Sequence, residues 1–219
     1  MLSAFDKCPR QAFHRYVAKD LPKETSPALD WGIAVHEALE AHVRDYVPLP
    51  EGMERYEPRA AALPLGSQVE RKLGIRFNGS PCDFFATDVW GRGKLDISVV
   101  NGPHAVIIDW KTGKVREDPD ELEVFAVLLD AHHPGIIGIM GFYVWLATSK
   151  IGKIHDLSDT VVKLAQIRGR WERVQKAHRT DHWPPQQSPL CGWCSVYSCE
   201  FNPKKHLIMM IWSDDVMCK

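Results

Sequence analysis

Hydrophobic and polar residues alternate along the chain in two patterns, which predict helices in some stretches and strands in others. Apolar residues at helical spacing predict four helices, over 1–18, 26–46, 118–131 and 158–177. β-Branched and aromatic runs predict strands over 67–110 and 136–146, with a return strand at 153–157. Residues 47–66 are rich in Pro, Gly and Ala and predict an irregular crossing. This order predicts an α/β fold, in which helices flank a central mixed β-sheet.

The strand region predicts a hairpin that brings two acidic residues together. An Asn-Gly turn typical of hairpins pairs the strand carrying Asp96 with the apolar run that ends at Asp109. Because side chains alternate along a strand, Asp109 and Lys111 point the same way and Trp110 points the other way. The same rule predicts a regular strand over 68–77, where polar and apolar residues alternate.

Two carboxylates and one ammonium at a strand end suit a hard divalent cation and a water molecule. Asp96, Asp109 and a backbone carbonyl would hold the cation, and Lys111 would orient or deprotonate the water. An isolated Asp-x-Lys is also typical of a simple surface salt bridge. The other motifs of the chain favour the metal site.

The second predicted helix begins with a helix cap and contains a glycine and a histidine one turn apart. Ser26 is a typical N-cap and Pro27 a typical first helical residue. Gly32 allows another backbone or a ligand to approach closely, and His36 lies on the same side. A neutral imidazole can ligate a metal, so His36 is a candidate ligand. A packed, half-buried histidine is the alternative.

The C-terminal part of the chain has a cysteine motif. Three cysteines in C-x2-C-x4-C spacing lie close together: Cys191, Cys194 and Cys199. Such spacing is typical of ligands to one metal centre, and three ligands call for a fourth. Cys8 is the favoured fourth ligand because it lies at a predicted helix start, with Cys82 and Cys218 as alternatives. The spacing fits either zinc or an iron–sulfur cluster, and buried free thiols are the remaining interpretation.

The charge balance carries no general nucleic-acid signature. The net charge is −1, so DNA contact would require a local basic surface. The last predicted helix provides one candidate, with these basic residues on one face: Lys163, Arg168, Arg170, Arg173, Lys176 and Arg179. A solvated helix face is the competing interpretation.

Nothing in the sequence predicts secretion or membrane insertion. Asp6, Lys7 and Arg10 interrupt any apolar run at the N-terminus. No apolar stretch reaches the length of about 18 residues that a membrane helix needs. We therefore expect a cytoplasmic protein without membrane contact, in a compartment where structural disulfides are rare.

Taken in order, these motifs resemble those of a known nuclease family. The order is Cys8, Gly32-x3-His36, Gly93-x2-Asp96, Asp109-x-Lys111 and Cys191-x2-Cys194-x4-Cys199. It resembles the RecB-like branch of the PD-(D/E)xK nucleases, and within it the iron–sulfur exonucleases of the CRISPR-associated and AddB types. The resemblance implies a restriction-endonuclease-like core over 26–180 of a single nuclease domain spanning 1–219. Residues 1–25 and 183–203 would form an iron–sulfur subregion.

The resemblance also implies roles for individual residues. His36, Asp96, Asp109 and the Trp110 carbonyl would bind Mg²⁺ or Mn²⁺, and Lys111 would be the catalytic lysine. A [4Fe-4S] cluster would join the N- and C-terminal regions through four thiolates: Cys8, Cys191, Cys194 and Cys199. The family usually has a Gln-x3-Tyr motif on the next helix, where this chain has Glu121 and Phe125. Glu121 is therefore a candidate catalytic residue with an altered charge.

The sequence thus predicts a metal-dependent DNA nuclease. The resemblance implies an exonuclease on single-stranded DNA or free ends, acting in recombination, repair, replication or CRISPR adaptation, with a protein partner from such a process. The alternative is a non-catalytic DNA-binding or scaffold module with a structural zinc site made of four cysteines.

Overall fold

The computed structural model describes residues 1–22 and 25–204. Within them the α-helices are α1 Leu2–Lys7, α2 Pro9–Ala12, α3 Pro27–Asp45, α4 Glu57–Ala61, α5 Asp120–His132 and α6 Thr160–Thr180. The strands are β1 Gln68–Ile75, β2 Pro81–Cys82, β3 Gly91–Asn101, β4 His104–Lys111, β5 Gly138–Trp145, β6 Lys150–Ile151 and β7 His155–Asp156. A π-helix covers Phe13–Ala18, and short 3₁₀ helices cover Glu54–Tyr56 and Pro189–Trp193.

The chain divides into two compact units. One consists of residues 1–24 together with 168–219, and the other of residues 25–167. The second unit contains the whole sheet and the helices α3, α4 and α5. The prediction of one nuclease domain with a separate cysteine subregion stays a prediction.

The sheet is mixed, as the strand pattern predicts. Its strands follow the order β2-β1-β3-β4-β5-β6, and β7 also pairs with β5. The pairs are antiparallel except β4 with β5, which are parallel and connected through α5. The predicted hairpin is confirmed, because β3 and β4 pair across a turn in which Gly102 has a φ of 56°. The α/β fold with a central mixed sheet flanked by helices is therefore confirmed.

Local sequence signals explain where the longer helices begin. The hydroxyl of Ser26 accepts a hydrogen bond from the Leu29 amide at 3.2 Å, and Pro27 is the first helical residue of α3. For α5 the predicted start is slightly early. Asp118 accepts the amide of Asp120 at 3.0 Å, and Pro119 occupies the cap position. The predicted helix over 1–18 is interrupted at Cys8, whose backbone is extended between α1 and α2.

Two hydrophobic cores lie on opposite faces of the sheet. The α5-side core combines α5 with inward residues of β1, β3, β4 and β5, including Leu73, Leu95 and Ile107. The α3-side core combines Val35 and Leu39 of α3 with residues of the same strands. Burial on both faces holds β3 and β4 in place, so that the polar groups along them have fixed positions.

The predicted regular alternation along β1 is wrong at one position, and β3 departs from strict alternation in the same way. Leu95 packs in the α5-side core, yet Ile97 packs in the α3-side core, although strict alternation would place both on one face. Likewise, Leu73 faces α5 and Val69 faces α3. Between these residues each strand changes the face of the sheet to which its alternate side chains point. This change occurs at Glu70 in β1 and at Asp96 in β3. Neighbouring pairs in the register, such as Arg71 with Leu95, show that Glu70 and Asp96 lie opposite each other.

Candidate functional site

The irregular position in the sheet is where three possible metal ligands meet. His36, Glu70 and Asp96 each offer one ligand atom, and these atoms lie within 4.8 Å of one another. Among the described residues, no other group of three His, Cys, Asp or Glu side chains does so. Imidazole and carboxylate ligands together suit a divalent cation.

His36 reaches this group because α3 packs closely against the end of β4. A Cβ added to Gly32 would lie 3.0 Å from the hydroxyl oxygen of Thr112, so glycine permits this approach. His36 Nδ1 then lies 3.3 Å from Asp96 Oδ1. Burial lowers the pKa of His36, but the carboxylates of Asp96, Asp109 and Glu70 together outweigh burial, and the net pKa is raised above its ordinary value.

Asp96 is held by the neighbouring strand as well as by His36. Its Oδ2 accepts a hydrogen bond from the Trp110 backbone amide at 2.8 Å. The Asp96 side chain is buried, and its two oxygens contact different elements. This fixes the orientation of the carboxylate before any ligand arrives.

Glu70 is the residue that sequence reasoning missed. It has a φ of 52°, in the left-handed region that residues other than glycine rarely adopt. Its carboxylate is buried and forms an ion pair with Lys94. Burial raises the pKa of Glu70, partly offset by Lys94. A backbone of this kind is concentrated at functional sites, but only the fold reveals it, because the polarity pattern around Glu70 is that of an ordinary strand.

Asp109 and Lys111 project from the end of β4 on the same face, as predicted. Lys111 Nζ lies 2.6 Å from Asp109 Oδ2, and Trp110 packs on the other face in the α3-side core. Burial, and after it the negative charge of Asp96, raises the pKa of Asp109 to about 7. Asp109 is not one of the three residues of that group, and its carboxylate is paired with Lys111.

Lys111 is surrounded by groups that favour its charged form. Its Nζ lies 2.7 Å from Glu121 Oε2 and 5.3 Å from the centre of the Tyr143 ring. Burial alone would lower the pKa of Lys111, but the charges of Asp109 and Glu121 raise it. Lys111 is therefore a protonated donor here, which favours orienting a water or phosphate over removing a proton.

The two departures from the Gln-x3-Tyr motif have different structural consequences. Glu121 takes part in the site through its ion pair with Lys111. Phe125 is buried in the α5-side core, where a Cβ added to Gly93 would lie 3.0 Å from its ring. Gly93 thus allows α5 to pack tightly against β3.

The cysteine region lies within the unit formed by residues 1–24 and 168–219. Three of the thiols accept N–H hydrogen bonds: the Gln186 amide to Cys8 Sγ at 3.5 Å, the Ser188 amide to Cys191 Sγ at 3.3 Å and the Gln11 side chain to Cys194 Sγ at 3.6 Å. The structure also buries Cys199. Donors of this kind stabilise thiolates and metal-bound sulfurs.

A small core in this unit packs the N-terminal helices against Trp183 and the last turns of α6. Phe5 packs edge-on against Trp183, with ring centres 5.9 Å apart. Arg10 donates to the Trp183 carbonyl at 3.0 Å, and the Asn202 side chain donates to the Cys194 carbonyl at 2.8 Å. Cys82 instead lies on β2 in the other unit, and Cys218 lies outside the described residues.

The basic face of α6 is partly used for intramolecular ion pairs. Lys163 contacts Glu123 at 2.5 Å, and both Arg170 and Arg173 contact Asp6, at 2.8 Å and 2.7 Å. These pairs reduce the positive charge that α6 presents to a nucleic acid.

Comparisons with known proteins agree with part of this description. Residues 1–74 match the model of the PD-(D/E)XK nuclease superfamily. That segment contains His36 and Glu70 but neither Asp96 nor the Asp109–Lys111 pair. The comparison with curated proteins finds no match.

Two solved structures are similar to this chain. One is a candidate exonuclease from Eubacterium rectale, with 13% identity and a TM-score of 0.51, over 88% of this chain and 85% of that one. The other is SSO0001, with 14% identity and a TM-score of 0.48, over 92% of this chain and 85% of that one. None of the described helices has the length and apolar character needed to cross a membrane. The first third of the chain is thus similar in sequence to a nuclease superfamily. The fold of the chain as a whole is similar to that of the E. rectale protein.

Proposed function

We propose that this protein is a metal-dependent nuclease that hydrolyses DNA phosphodiester bonds, acting as an exonuclease on single-stranded ends. The observation that carries the proposal is the convergence of ligand atoms of His36, Glu70 and Asp96 within 4.8 Å, where Asp96 lies on the strand next to the one that carries the Asp109–Lys111 pair. The superfamily match over residues 1–74 supports the same reaction class.

The donor set fits a hard divalent ion. Four carboxylates lie in or beside the site, those of Glu70, Asp96, Asp109 and Glu121. Two lysines, Lys94 and Lys111, form ion pairs with them, so the negative charges outnumber these positive ones. Burial raises the pKa of Glu70 and of Asp109, which means that these carboxylates lack sufficient positive charge around them. A bound cation would supply that charge.

Different residues of the chain would bind the metal, orient the attacking water and hold the lysine in place. His36, Glu70, Asp96, Asp109 and the Trp110 carbonyl would hold Mg²⁺ or Mn²⁺, and the imidazole favours manganese as an alternative to magnesium. When bound, the ion polarises the scissile phosphate and lowers the pKa of its water. Protonated Lys111 would donate hydrogen bonds to the attacking water or to a phosphate oxygen. Glu121 and the Tyr143 ring would hold the lysine in that orientation.

We also propose that Cys8, Cys191, Cys194 and Cys199 hold a [4Fe-4S] cluster with a structural role. The N–H donors to three of these sulfurs support metal-bound thiolates. Action in recombination or CRISPR adaptation, with a protein partner, stays a prediction.

Cleavage of end-labelled single-stranded DNA tests the main proposal. The wild type should release mononucleotides with Mn²⁺ or Mg²⁺ and do nothing in a chelator. Asp96→Asn should abolish release, because Asp96 is central to the proposed ligands. Asp30→Asn, which changes an exposed carboxylate on α3, is the matched control and should cleave normally. If the wild type degrades no DNA with either metal, the nuclease assignment fails.

A further inference from the structure

An exposed group of aromatic and basic side chains lies on the ribbon formed by β1 and β3. Phe85 is 70% exposed, and Lys72 Nζ lies 5.8 Å from the centre of its ring. The Arg92 guanidinium lies 5.1 Å above the ring of Phe84, which meets Phe85 edge-on with ring centres 4.9 Å apart. We call these four residues, Lys72, Phe84, Phe85 and Arg92, the aromatic strip. Large exposed apolar side chains next to cations are typical of a binding surface.

Local hydrogen bonds hold the strip in shape. The Asp83 carboxylate accepts the Phe85 amide at 2.8 Å, and the Asp83 carbonyl accepts the Ala86 amide at 3.1 Å. Arg92 also donates to the Phe84 carbonyl at 3.4 Å. The exposure of Phe85 is therefore set by a defined turn. A ring held in this way loses little conformational entropy when a partner stacks on it.

The strip lies on the same strands as the candidate metal site. Arg92 and Asp96 are four residues apart on β3, which corresponds to about 13 Å along a strand. Lys72 pairs with Lys94 in the register, and Lys94 contacts Glu70. On β1 and β3, the neighbours of these basic residues along the chain face α5. The side chains of Lys72, Lys94 and Arg92 therefore project from the opposite face of the sheet. That is the face on which α3 presents His36.

We infer that the aromatic strip binds single-stranded DNA, with a base stacked on Phe85 and with Lys72 and Arg92 close to the phosphates. This inference rests on the proposed function, since the strands that carry the strip lead to the proposed catalytic groups. The strip selects unpaired DNA because a duplex covers the faces of its bases, whereas a single strand exposes them to an aromatic ring. Its two cations match the phosphate backbone, whereas three cations of α6 are paired with acidic residues.

The ribbon itself offers a matched control. Phe77 is also exposed, at 49%, but it packs edge-on against Trp90, which contacts the α5-side core. Phe77 therefore lies on the other face of the ribbon from Phe85. Phe85→Ala and Phe77→Ala remove the same phenyl group from opposite faces of one structure.

Fluorescence anisotropy in a chelator measures binding apart from cleavage. The probe is a labelled oligothymidine of about 15 nucleotides, compared with a duplex of the same length. Phe85→Ala should weaken single-strand binding roughly tenfold. Phe85→Trp should preserve it, and Phe77→Ala should leave it unchanged. Duplex binding should be the same in all four proteins.

The outcomes separate this inference from the proposed function. If Phe85→Ala binds the oligothymidine as tightly as the wild type, or if duplex binding falls by the same factor, the inference is wrong. Melting temperatures of the variants show whether each is folded. Failure of the proposed function is seen independently, as a wild type that cleaves no single-stranded DNA with Mn²⁺ or Mg²⁺ although it binds the oligothymidine.

Discussion

The carboxylate site of residues 25–167 and the cysteine region of the other unit present ligands in opposite ways. The carboxylates are attached to strands that two cores hold from both faces, and their charges are in excess of the nearby cations. The thiols are attached to turns and short helices around one small core, and N–H groups already point at three of them. The first arrangement places excess negative charge on a rigid scaffold, whereas in the second the proposed cluster would itself hold the surrounding turns together.

This comparison predicts that substitutions in the two regions have different effects. Loss of a charged group from the carboxylate site should affect chemistry and leave the fold intact. Loss of a thiol should affect folding first.

The largest effect is expected from Lys111→Met. It removes the donor held between Asp109 and Glu121 and should reduce the rate of DNA cleavage on the order of 10³-fold. The melting temperature and the iron content should stay at wild-type values. Lys114→Ala, in the exposed loop that follows, serves as the control and should cleave normally. Unchanged cleavage by Lys111→Met would remove the lysine from the mechanism.

Cys8→Ala should lower the stability and the iron content, the two properties that Lys111→Met leaves unchanged. The proposed centre shared by Cys8 and the C-terminal cysteines would close almost the whole chain into one loop, and such cross-links contribute about a few kcal/mol. The variant should lose its iron and its absorbance near 400 nm, and melt roughly 10 °C lower. Cys82→Ala, which changes a thiol on β2, should retain its iron. If the two variants exchange these results, the fourth ligand is Cys82 and the comparison must be revised.

The pH dependence of stability measures the unbalanced charge. The pKa of Asp109 rises from 3.8 to about 7 on folding, so between these values the folded protein holds a proton that the unfolded chain releases. Raising the pH through this window therefore lowers stability.

Asp109→Asn removes this linkage. Without metal, the melting temperature of the wild type relative to that of the variant should fall by on the order of 5 °C between pH 5 and pH 8. Scanning calorimetry of both proteins checks this, with Asp30→Asn as control. An equal difference at both pH values would show that Asp109 carries no excess charge.

Glu70→Gln tests the ligand that sequence reasoning missed. It removes one carboxylate from the group within 4.8 Å and should weaken Mn²⁺ binding roughly tenfold, as measured by calorimetric titration. Glu37→Gln, next to His36 but exposed, should bind like the wild type. An unchanged affinity in Glu70→Gln would leave Glu70 as a partner of Lys94 only.

The smallest effect is expected from Glu121→Gln. This carboxylate is 51% exposed, so its ion pair with Lys111 contributes little. An amide can still accept a hydrogen bond from the lysine, and kcat should change by less than about fivefold. A loss as large as that of Lys111→Met would instead make Glu121 an essential catalytic residue.

The sequence by itself determined much of the fold, since local rules decide those features. Ser26 and Pro27 predict the start of α3, the Asn-Gly turn predicts the β3–β4 hairpin, and alternation predicts that Asp109 and Lys111 share a face. Capping, turn preference and alternation depend on a few neighbouring residues, so they can be derived without knowledge of the rest of the chain.

Only the tertiary structure decided the place of Glu70 and the environment of Lys111. Strict alternation makes Glu70 an ordinary strand residue, but the inward side chains of β1 and β3 pack against α5 on one side of the irregular position and against α3 on the other. Lys111 meets Glu121 and Tyr143 only because α5 and β5 fold back beside β4. Both outcomes depend on contacts between residues far apart in the sequence, which local patterns do not encode.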